Sequence, residues 1–319
     1  MVSRAFHNAR ARLSAVACAA DAWALFVRAL AYTAGRKFGL KKLAEYDRKL
    51  TGKLAYRKLL PYSDGEKYDF GGIYLPMPAP DDYGNLAEMY GCFRDVLGVW
   101  LAGDDYNWKR MDRLDAGLVE GVYCYHRPED GVEILVKKGD IVLDLGAWYG
   151  DFAAYASKKG ATVYAFEPSA ETRAMLEKTA LYNKGNGGEI RIVPFGAGDR
   201  NETAAFCSYE EHAASSFFLG ENSSGGRPTA EIKTVRLDDW ARDESVRVDF
   251  IKADIEGFER NMLRGAAEIL KSHRPVLSIC TYHRPDDPAV LAGLILEANP
   301  EYRLIRRRMK LFAYVPGRG

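Results

Sequence analysis

From residue 140 onward, short apolar runs alternate with longer segments whose apolar residues recur at helical spacing. Ile141–Leu145, Ala161–Phe166, Ile190–Pro194, Val248–Ala253 and Val276–Tyr282 are the predicted strands. Asp151–Lys159, Ser169–Asn183, Glu259–Lys271 and Pro288–Ala298 are the predicted helices. Strands separated by helices of this length imply a parallel α/β sheet. A Ser-, Thr- and Gly-rich insertion over residues 200–240 divides the third strand from the fourth, and Thr203–Cys207 and Glu231–Val235 read as extra strands within it. Tyr302–Arg306 and Met309–Val315 read as a terminal antiparallel pair.

Upstream the texture differs. Residues 1–60 are dominated by Ala, Leu, Lys and Arg and predict two or three helices broken at Gly35, Gly39 and Gly52. Residues 61–87, punctuated by Pro61, Gly65, Gly71, Gly72, Pro76, Pro78, Pro80 and Gly84, read as a linker or lid. Leu86–Leu101 predicts a further helix with Met89, Phe93, Val96 and Leu97 on one face, and residues 117–136 look β-rich. No internal repeat has a fixed period. The echo between Tyr125–Asp130 and Tyr282–Asp287 is read as coincidence, because the flanking residues do not align.

The chain has 319 residues, 47% hydrophobic and 28% charged, which excludes collagen-like, low-complexity and largely disordered classes. Its length suits an accessory helical region over 1–115 and a catalytic-size domain over 116–319. The net charge of +1 is uneven: residues 1–60 carry 13 Lys and Arg against 3 Asp and Glu, and residues 61–130 carry 6 against 14. The basic head reads as helix packed on the larger domain, with an amphipathic helix on an anionic membrane surface as the alternative. Asp21 and Arg28 interrupt its apolar stretch, which is too short between charges for a span or a secretory signal. Five scattered cysteines without a C-x-x-C pair read as reduced thiols, so a cytoplasmic protein is expected, with peripheral membrane contact left open.

The turn Asp144-Leu145-Gly146-Ala147-Trp148-Tyr149-Gly150-Asp151 follows a strand and opens a helix, where doubly wound proteins bind nucleotides. A dinucleotide fingerprint would need Gly where Trp148 and Asp151 stand, and the bulk of one and the charge of the other disfavour a pyrophosphate. No Gly-Lys-Ser/Thr follows, so a P-loop is excluded. A cofactor without phosphates and with a positive centre fits better. S-adenosylmethionine carries a sulfonium and an ammonium that Asp144, Asp151 and Asp254 would attract. Glu167, before Pro168 at the end of the second strand, stands where a carboxylate accepts bonds from both ribose hydroxyls. Gly196-Ala197-Gly198-Asp199 reads as a tight turn near the adenine. The expected cofactor residues are therefore Asp144, Gly146, Trp148, Gly150, Asp151, Glu167, Pro168, Gly198, Asp199 and Asp254.

The glycine turn, Ala165-Phe166-Glu167-Pro168, and above all Asp249-Phe250-Ile251-Lys252-Ala253-Asp254-Ile255-Glu256-Gly257-Phe258-Glu259 followed by Leu263-Arg264-Gly265-Ala266 resemble the FkbM family of S-adenosylmethionine-dependent methyltransferases. The resemblance covers roughly 120–315. It implies a Rossmann-like class I methyltransferase fold: a mostly parallel seven-stranded sheet with helices on both faces and a terminal antiparallel hairpin. It also implies transfer to an oxygen, often on a sugar, polyketide or related natural product. Ala253 departs from the pattern, where Ile or Val is more usual, and sits inside a strand.

Methylating a hydroxyl needs placement and a positioned base. His283, closing the fifth strand, is the preferred base because an ordinary imidazole is largely neutral near neutral pH; capping the next helix, or bonding Asp286 or Asp287, is the competing role. Asp254 and Glu256, at the end of the fourth strand, are the other catalytic candidates. Glu256 and Glu259 alternatively stabilise the following helix N-terminus, and for Glu259 that reading is preferred. Asp254, Glu256 and His283 could together hold Mg or Mn, but no spacing signature demands it and no metal is expected. His126 more plausibly lies on the surface or in the core than in the cleft. Arg306, Arg307, Arg308 and Lys310 read as a solvated face before an anion-steering patch. The expected acceptor is a hydroxylated small molecule or glycan. An RNA or other polyanion acceptor, bound through the basic head, is the runner-up, although no recognised RNA module is visible. A non-catalytic cofactor-binding scaffold is the rival from another class.

Overall fold

Several of the apolar runs become strands buried along nearly their whole length, as parallel strands covered on both faces require. The structure, a computed structural model, describes residues 52–53, 55–57, 59–92, 123–127, 132–208, 215–217, 230–307 and 309–317. Most of the helices expected over 1–60 lie outside those residues. So do the second half of the helix expected over Leu86–Leu101, residues 117–122 of the β-rich stretch, much of the 200–240 insertion, and Arg308.

The strands are β1 (Lys67–Asp69), β2 (Tyr74–Pro76), β3 (Tyr125–Arg127), β4 (Val132–Ile134), β5 (Ile141–Leu145), β6 (Thr162–Phe166), β7 (Glu189–Val193), β8 (Gly196–Gly198), β9 (Glu202–Ser208), β10 (Ser215–Phe217), β11 (Ala230–Arg236), β12 (Phe250–Ala253), β13 (Val276–Cys280), β14 (Arg303–Arg307) and β15 (Lys310–Tyr314). The helices are α1 (Tyr83–Cys92), α2 (Asp151–Lys158), α3 (Ala170–Tyr182), α4 (Leu237–Asp243), α5 (Glu259–Gly265) and α6 (Asp287–Ala298).

The chain divides into two units. In the first, Met1–Pro61 with Pro78–Tyr90, Ala55, Leu59, Leu86 and Met89 are buried. Gly52 lies so close to Tyr83 that a Cβ would meet its Cα and Cβ.

The second unit, Tyr62–Met77 with Gly91–Gly319, is built on a seven-stranded sheet in the order β14-β15-β13-β12-β5-β6-β7. The five strands from β13 to β7 are parallel, and β15 runs antiparallel to both β13 and β14. This is the Rossmann-like arrangement with a terminal hairpin. Alternation along the strands sends Leu143, Leu145, Ile251 and Ala253 into a core shared with Trp240, Met262, Leu263, Leu291 and Ile295 of α4, α5 and α6. Phe250 faces the other way, 5.9 Å from the Phe152 ring of α2. The chain enters at β5, crosses outward to β6 and β7, then returns beside β5 as β12. That reversal makes a crevice at the strands' C-terminal ends.

The expected extra strands in the insertion are present. They form a second sheet, β10-β9-β11-β8. Gly196–Gly198, expected as a tight turn, is instead strand β8, parallel to β11. The helix expected over Glu259–Lys271 is two segments, α5 and a π-helical turn at Ile269–His273. Gly265 packs directly on the Gly198 carbonyl, and Asp238 accepts the N–H groups of Glu268 and Ile269 at 3.2 and 3.0 Å, restarting the helix there. Part of the expected linker or lid is also packed structure. The β1–β2 hairpin buries Tyr68, Phe70, Ile73 and Leu75, and Asn183 at the end of α3 bonds both the N–H (3.0 Å) and the carbonyl (2.6 Å) of Tyr74. No helix among the described residues is long and apolar enough to cross a membrane.

Candidate active site

The glycine turn links β5 to α2, and three of its residues have positive φ: Gly146 (72°), Trp148 (49°) and Gly150 (86°). Gly146 is forced by proximity, because a Cβ there would collide with the Asp254 carbonyl oxygen. The turns after β5 and β12 therefore touch through backbone. At Gly150 a Cβ would press on Leu176 of α3. Trp148 and Tyr149 stack with ring centroids 4.3 Å apart.

Asp144, expected beside the cofactor, is fully buried and pairs with Lys252 at 2.9 Å. Lys252 also donates to the Gly146 carbonyl at 2.7 Å. Burial works against the charge of Lys252, but Asp144, Asp254 and Asp151 outweigh it and hold its pKa above the ordinary lysine value. Asp151 opens α2 and is 6% exposed.

Glu167 accepts the Trp148 N–H (3.1 Å) on one oxygen and the Ser169 N–H (2.9 Å) on the other. Burial raises its pKa to about 7 even though both bonds oppose the rise. Each oxygen keeps a lone pair for a further donor. Pro168, half-buried, accepts from Arg173 through its carbonyl. Gly198 is buried between Phe258 and Gly265, a packing position. Asp199 follows it, and its Oδ1 is buried without a hydrogen-bond partner among the described residues. The carboxylates of Asp144, Asp151, Asp254 and Glu167 collect around this turn, with Lys252 paired among them. Such a set suits a ribose and a positive centre and opposes a pyrophosphate.

On the other side of the turn, Asp254 accepts the Tyr123 hydroxyl at 2.7 Å and the Tyr282 hydroxyl at 2.8 Å. Burial pushes its pKa up, but Lys310, Lys252, His283 and the Tyr123 hydroxyl bring the balance below the ordinary value. His283 Nε2 lies 3.5 Å from Asp254 Oδ1 and 3.3 Å from Glu256 Oε2, and its Nδ1 lies 2.9 Å from Glu259 Oε1. Glu256 has φ 54°, unusual for a residue with a side chain, and Gly257 follows at 94°. That turn presents Glu256 to the imidazole.

The sequence pattern thus brings Asp254, Glu256 and His283 together, with one correction. A neutral imidazole was expected. Burial disfavours the charged ring, yet Glu256, Glu259 and Asp254 prevail and raise its pKa to about 10. In this arrangement the ring carries its proton at neutral pH and is not a base. Glu259 is more than a helix-end charge: it is fully buried, accepts the Ile255 N–H at 3.0 Å and faces His283.

Lys252 and Tyr123 were not singled out from the sequence as site residues, and Lys310, expected with Arg306, Arg307 and Arg308 on a solvated face, is instead an interior residue. Lys310 is buried, 3.0 Å from Cys280 Sγ and 3.8 Å from the centre of the Tyr123 ring. The lysine inside K-x-D-x-E-G was a usable signal for the first, whereas Tyr123 and Lys310 come from distant segments with no local pattern. The side chain of His126 lies outside the described residues. Arg307 bonds the Tyr125 hydroxyl at 3.3 Å.

None of the curated proteins compared with the chain matches it. Among solved structures, methyltransferase FkbM from Methylobacillus flagellatus is 21% identical with a TM-score of 0.46; the match covers 85% of this chain and 60% of that one. The chain therefore spans less than two thirds of that protein's length. Fibrillarin from Aeropyrum pernix, in complex with natively bound S-adenosyl-L-methionine, is 15% identical with a TM-score of 0.37, covering 64% and 74%. Precorrin-6y C5,15-methyltransferase from Geobacter metallireducens is 9% identical with a TM-score of 0.32, covering 56% and 79%. Residues 144–314, from the aspartate beneath the glycine turn to the last residue of the terminal hairpin, match the model of the methyltransferase FkbM domain, and with more than half its length so matched the chain belongs to that family.

Proposed function

We propose that the protein transfers a methyl group from S-adenosylmethionine to a hydroxyl of a glycan, glycolipid or related natural product. The observation that carries this reading is the pairing of two sites across one turn. Glu167 and the glycine turn suit a ribose and a cationic amino acid, and Asp254, Glu256 and His283 stand at the neighbouring strand ends with groups that can receive a hydroxyl. When bound, the cofactor supplies a methyl carbon activated by its sulfonium.

The chain's own residues do the rest. Glu167 accepts the ribose hydroxyls through the lone pairs left by Trp148 and Ser169. Asp151 and Asp254 favour a positive charge in the crevice. Trp148 and Tyr149 form a stacked wall beside it. Tyr123, Tyr282 and His283 fix the direction of the Asp254 carboxylate. Glu256, whose side chain is 30% exposed against 20% for Asp254, is the most open carboxylate of the cluster and receives the proton of the attacking hydroxyl. A base so placed contributes about 10²–10⁴ in rate. Residues 1–115 are the accessory region in this reading. The protein acts in the cytoplasm, and its basic head gives it a route to an anionic membrane bearing glycolipid.

The test is calorimetric titration with S-adenosylmethionine, S-adenosylhomocysteine and NAD, on wild type and Glu167→Ala, followed by label transfer from S-[methyl-³H]adenosylmethionine to a panel of glycans and glycolipids. Binding of both adenosyl ligands, none of NAD, loss in the variant and label on a hydroxyl are expected. Preference for NAD, or cofactor binding with no transfer to any hydroxyl, overturns the reading.

A further inference from the structure

Around His283 three carboxylates converge on one ring. Glu259 approaches Nδ1, while Asp254 and Glu256 approach Nε2. We propose that Asp254, Glu256 and His283 form a binding site for a hard divalent cation of the Mg²⁺/Mn²⁺ class, with Glu259 as the group that orients the histidine.

One oxygen from each carboxylate and Nε2 all lie within 4.8 Å of one another. Ligands held about 2.1 Å from a shared octahedral ion stand ~3 Å apart when adjacent and ~4.2 Å when opposite. The 3.3 and 3.5 Å separations from Nε2 already approach the adjacent spacing. Two carboxylate oxygens and an imidazole are a donor set for Mn²⁺ or Mg²⁺, not for a thiolate-seeking metal.

The histidine supplies an independent indication. Its side chain is 8% exposed, and Nε2 is a buried nitrogen with no hydrogen-bond partner among the described residues, turned toward the two carboxylates. Nδ1 faces Glu259, which is fully buried and held by the Ile255 N–H. A bound ion would displace the proton from Nε2, while the carboxylate behind Nδ1 keeps the other proton on that nitrogen and so leaves the Nε2 lone pair to the ion, the arrangement found behind metal-ligating histidines.

Three protein ligands leave positions on the ion for water and for an oxygen of the acceptor. The ion would bind the attacking hydroxyl and acidify it, while the second oxygen of Glu256 takes the proton. This role for the ion rests on the methyltransferase reading; its binding does not.

The experiment is titration of the metal-stripped full chain with Mn²⁺, followed by the electron paramagnetic resonance signal of the free ion. It is run on wild type, Glu256→Gln, Glu259→Gln and His283→Ala, with folding checked by circular dichroism and S-adenosylmethionine binding measured on the same samples. Expected are one Mn²⁺ per chain displaced by excess Mg²⁺, a tenfold or greater loss of affinity in Glu256→Gln and His283→Ala, and a 10–100-fold loss in Glu259→Gln. Glu256 is the variant least exposed to a folding failure, because its side chain is partly in solvent. No Mn²⁺ bound at millimolar concentration, or equal affinity in wild type and folded Glu256→Gln, overturns the site. Mn²⁺ bound with that pattern but no S-adenosylmethionine bound upholds the site and overturns the methyltransferase reading instead.

Discussion

Lys252 Nζ sits 2.9 Å from Asp144 Oδ1 inside the sheet and donates to the Gly146 carbonyl, so one buried cation ties strand β12 both to β5 and to the turn above it. The side chains are 4% and 0% exposed. Lys252 is therefore a scaffold for the crevice, and Asp144, which read from the sequence as a cofactor contact, is its counter-ion.

Removing one partner of such a pair leaves an uncompensated buried charge, at a cost of about 3–5 kcal/mol. Lys252→Met is expected to lose stability on that scale in urea denaturation. Adding Asp144→Asn should recover at least ~1 kcal/mol, because the orphaned carboxylate is gone. A loss below ~1 kcal/mol for Lys252→Met would mean the pair does not anchor the turn.

Gly146 and Gly139 both have positive φ, 72° and 89°, but only Gly146 faces a neighbour. A Cβ at Gly139 meets nothing within 4 Å. Gly139→Ala should cost only backbone strain, about 1–2 kcal/mol. Gly146→Ala must also push the Asp254 turn away, and is expected to cost clearly more in the same denaturation assay and to weaken cofactor binding. Equal losses would show that the two turns separate easily.

The sheet was legible because its evidence is local. Ile141–Leu145 and Phe250–Ala253 announce buried strands by short apolar runs broken only by Asp144 and Lys252, which pair with each other, and Ser169 announces α3 with a side chain that accepts the Thr172 N–H. Gly196–Gly198 was misread because glycine marks both turns and close approach, and here the approach is of Gly265 on its carbonyl. The β1–β2 hairpin was hidden for a related reason: its anchor, Asn183, lies 109 residues away from Tyr74. In the site, Asp254, Glu256 and Glu259 were visible in one motif and His283 by its place at a strand end. The protonation of His283 was not, since it depends on three carboxylates meeting one ring. Nor was Tyr123, which reaches Asp254 across 131 residues.

Glu167 predicts a pH dependence. Burial raises its pKa from 4.5 to about 7, so the folded state holds this proton more tightly than the unfolded chain does. Folding is then least penalised below about pH 4.5, and the penalty grows as pH rises toward 7 and stays level above it. Between pH 5 and pH 8 the wild type should lose roughly 2–3 kcal/mol that Glu167→Gln does not lose. Parallel stability profiles for the two proteins would place Glu167 in a better-solvated setting.

Asn183 is 2% exposed and satisfies both polar groups of Tyr74, while Asn186 bonds the Gly72 carbonyl. Asn183→Leu should leave those groups unpaired at about 1–3 kcal/mol. Hydrogen exchange should show protection falling first over residues 66–76. Loss spread evenly over the sheet would mean the hairpin is not a separate opening unit.

Asp254 and Glu256 stand two residues apart but are assigned different work. Asp254 is locked by two tyrosine hydroxyls at 2.7 and 2.8 Å and adds negative charge to the cofactor crevice. Glu256 is more exposed, and in the proposed function it is the group that meets the acceptor. Asn in place of Asp254 keeps the shape but loses the charge, and one of its two terminal atoms can no longer accept from a tyrosine. Asp254→Asn should therefore weaken S-adenosylmethionine binding and lower kcat together. Glu256→Gln removes the proton acceptor and leaves the cofactor side intact, so kcat should fall by about 10²–10⁴ with cofactor Kd within a factor of about three. Measuring both constants on both variants separates the roles. If Glu256→Gln weakens cofactor binding as much as Asp254→Asn does, the division fails, because Glu256 would then belong to the cofactor side of the crevice.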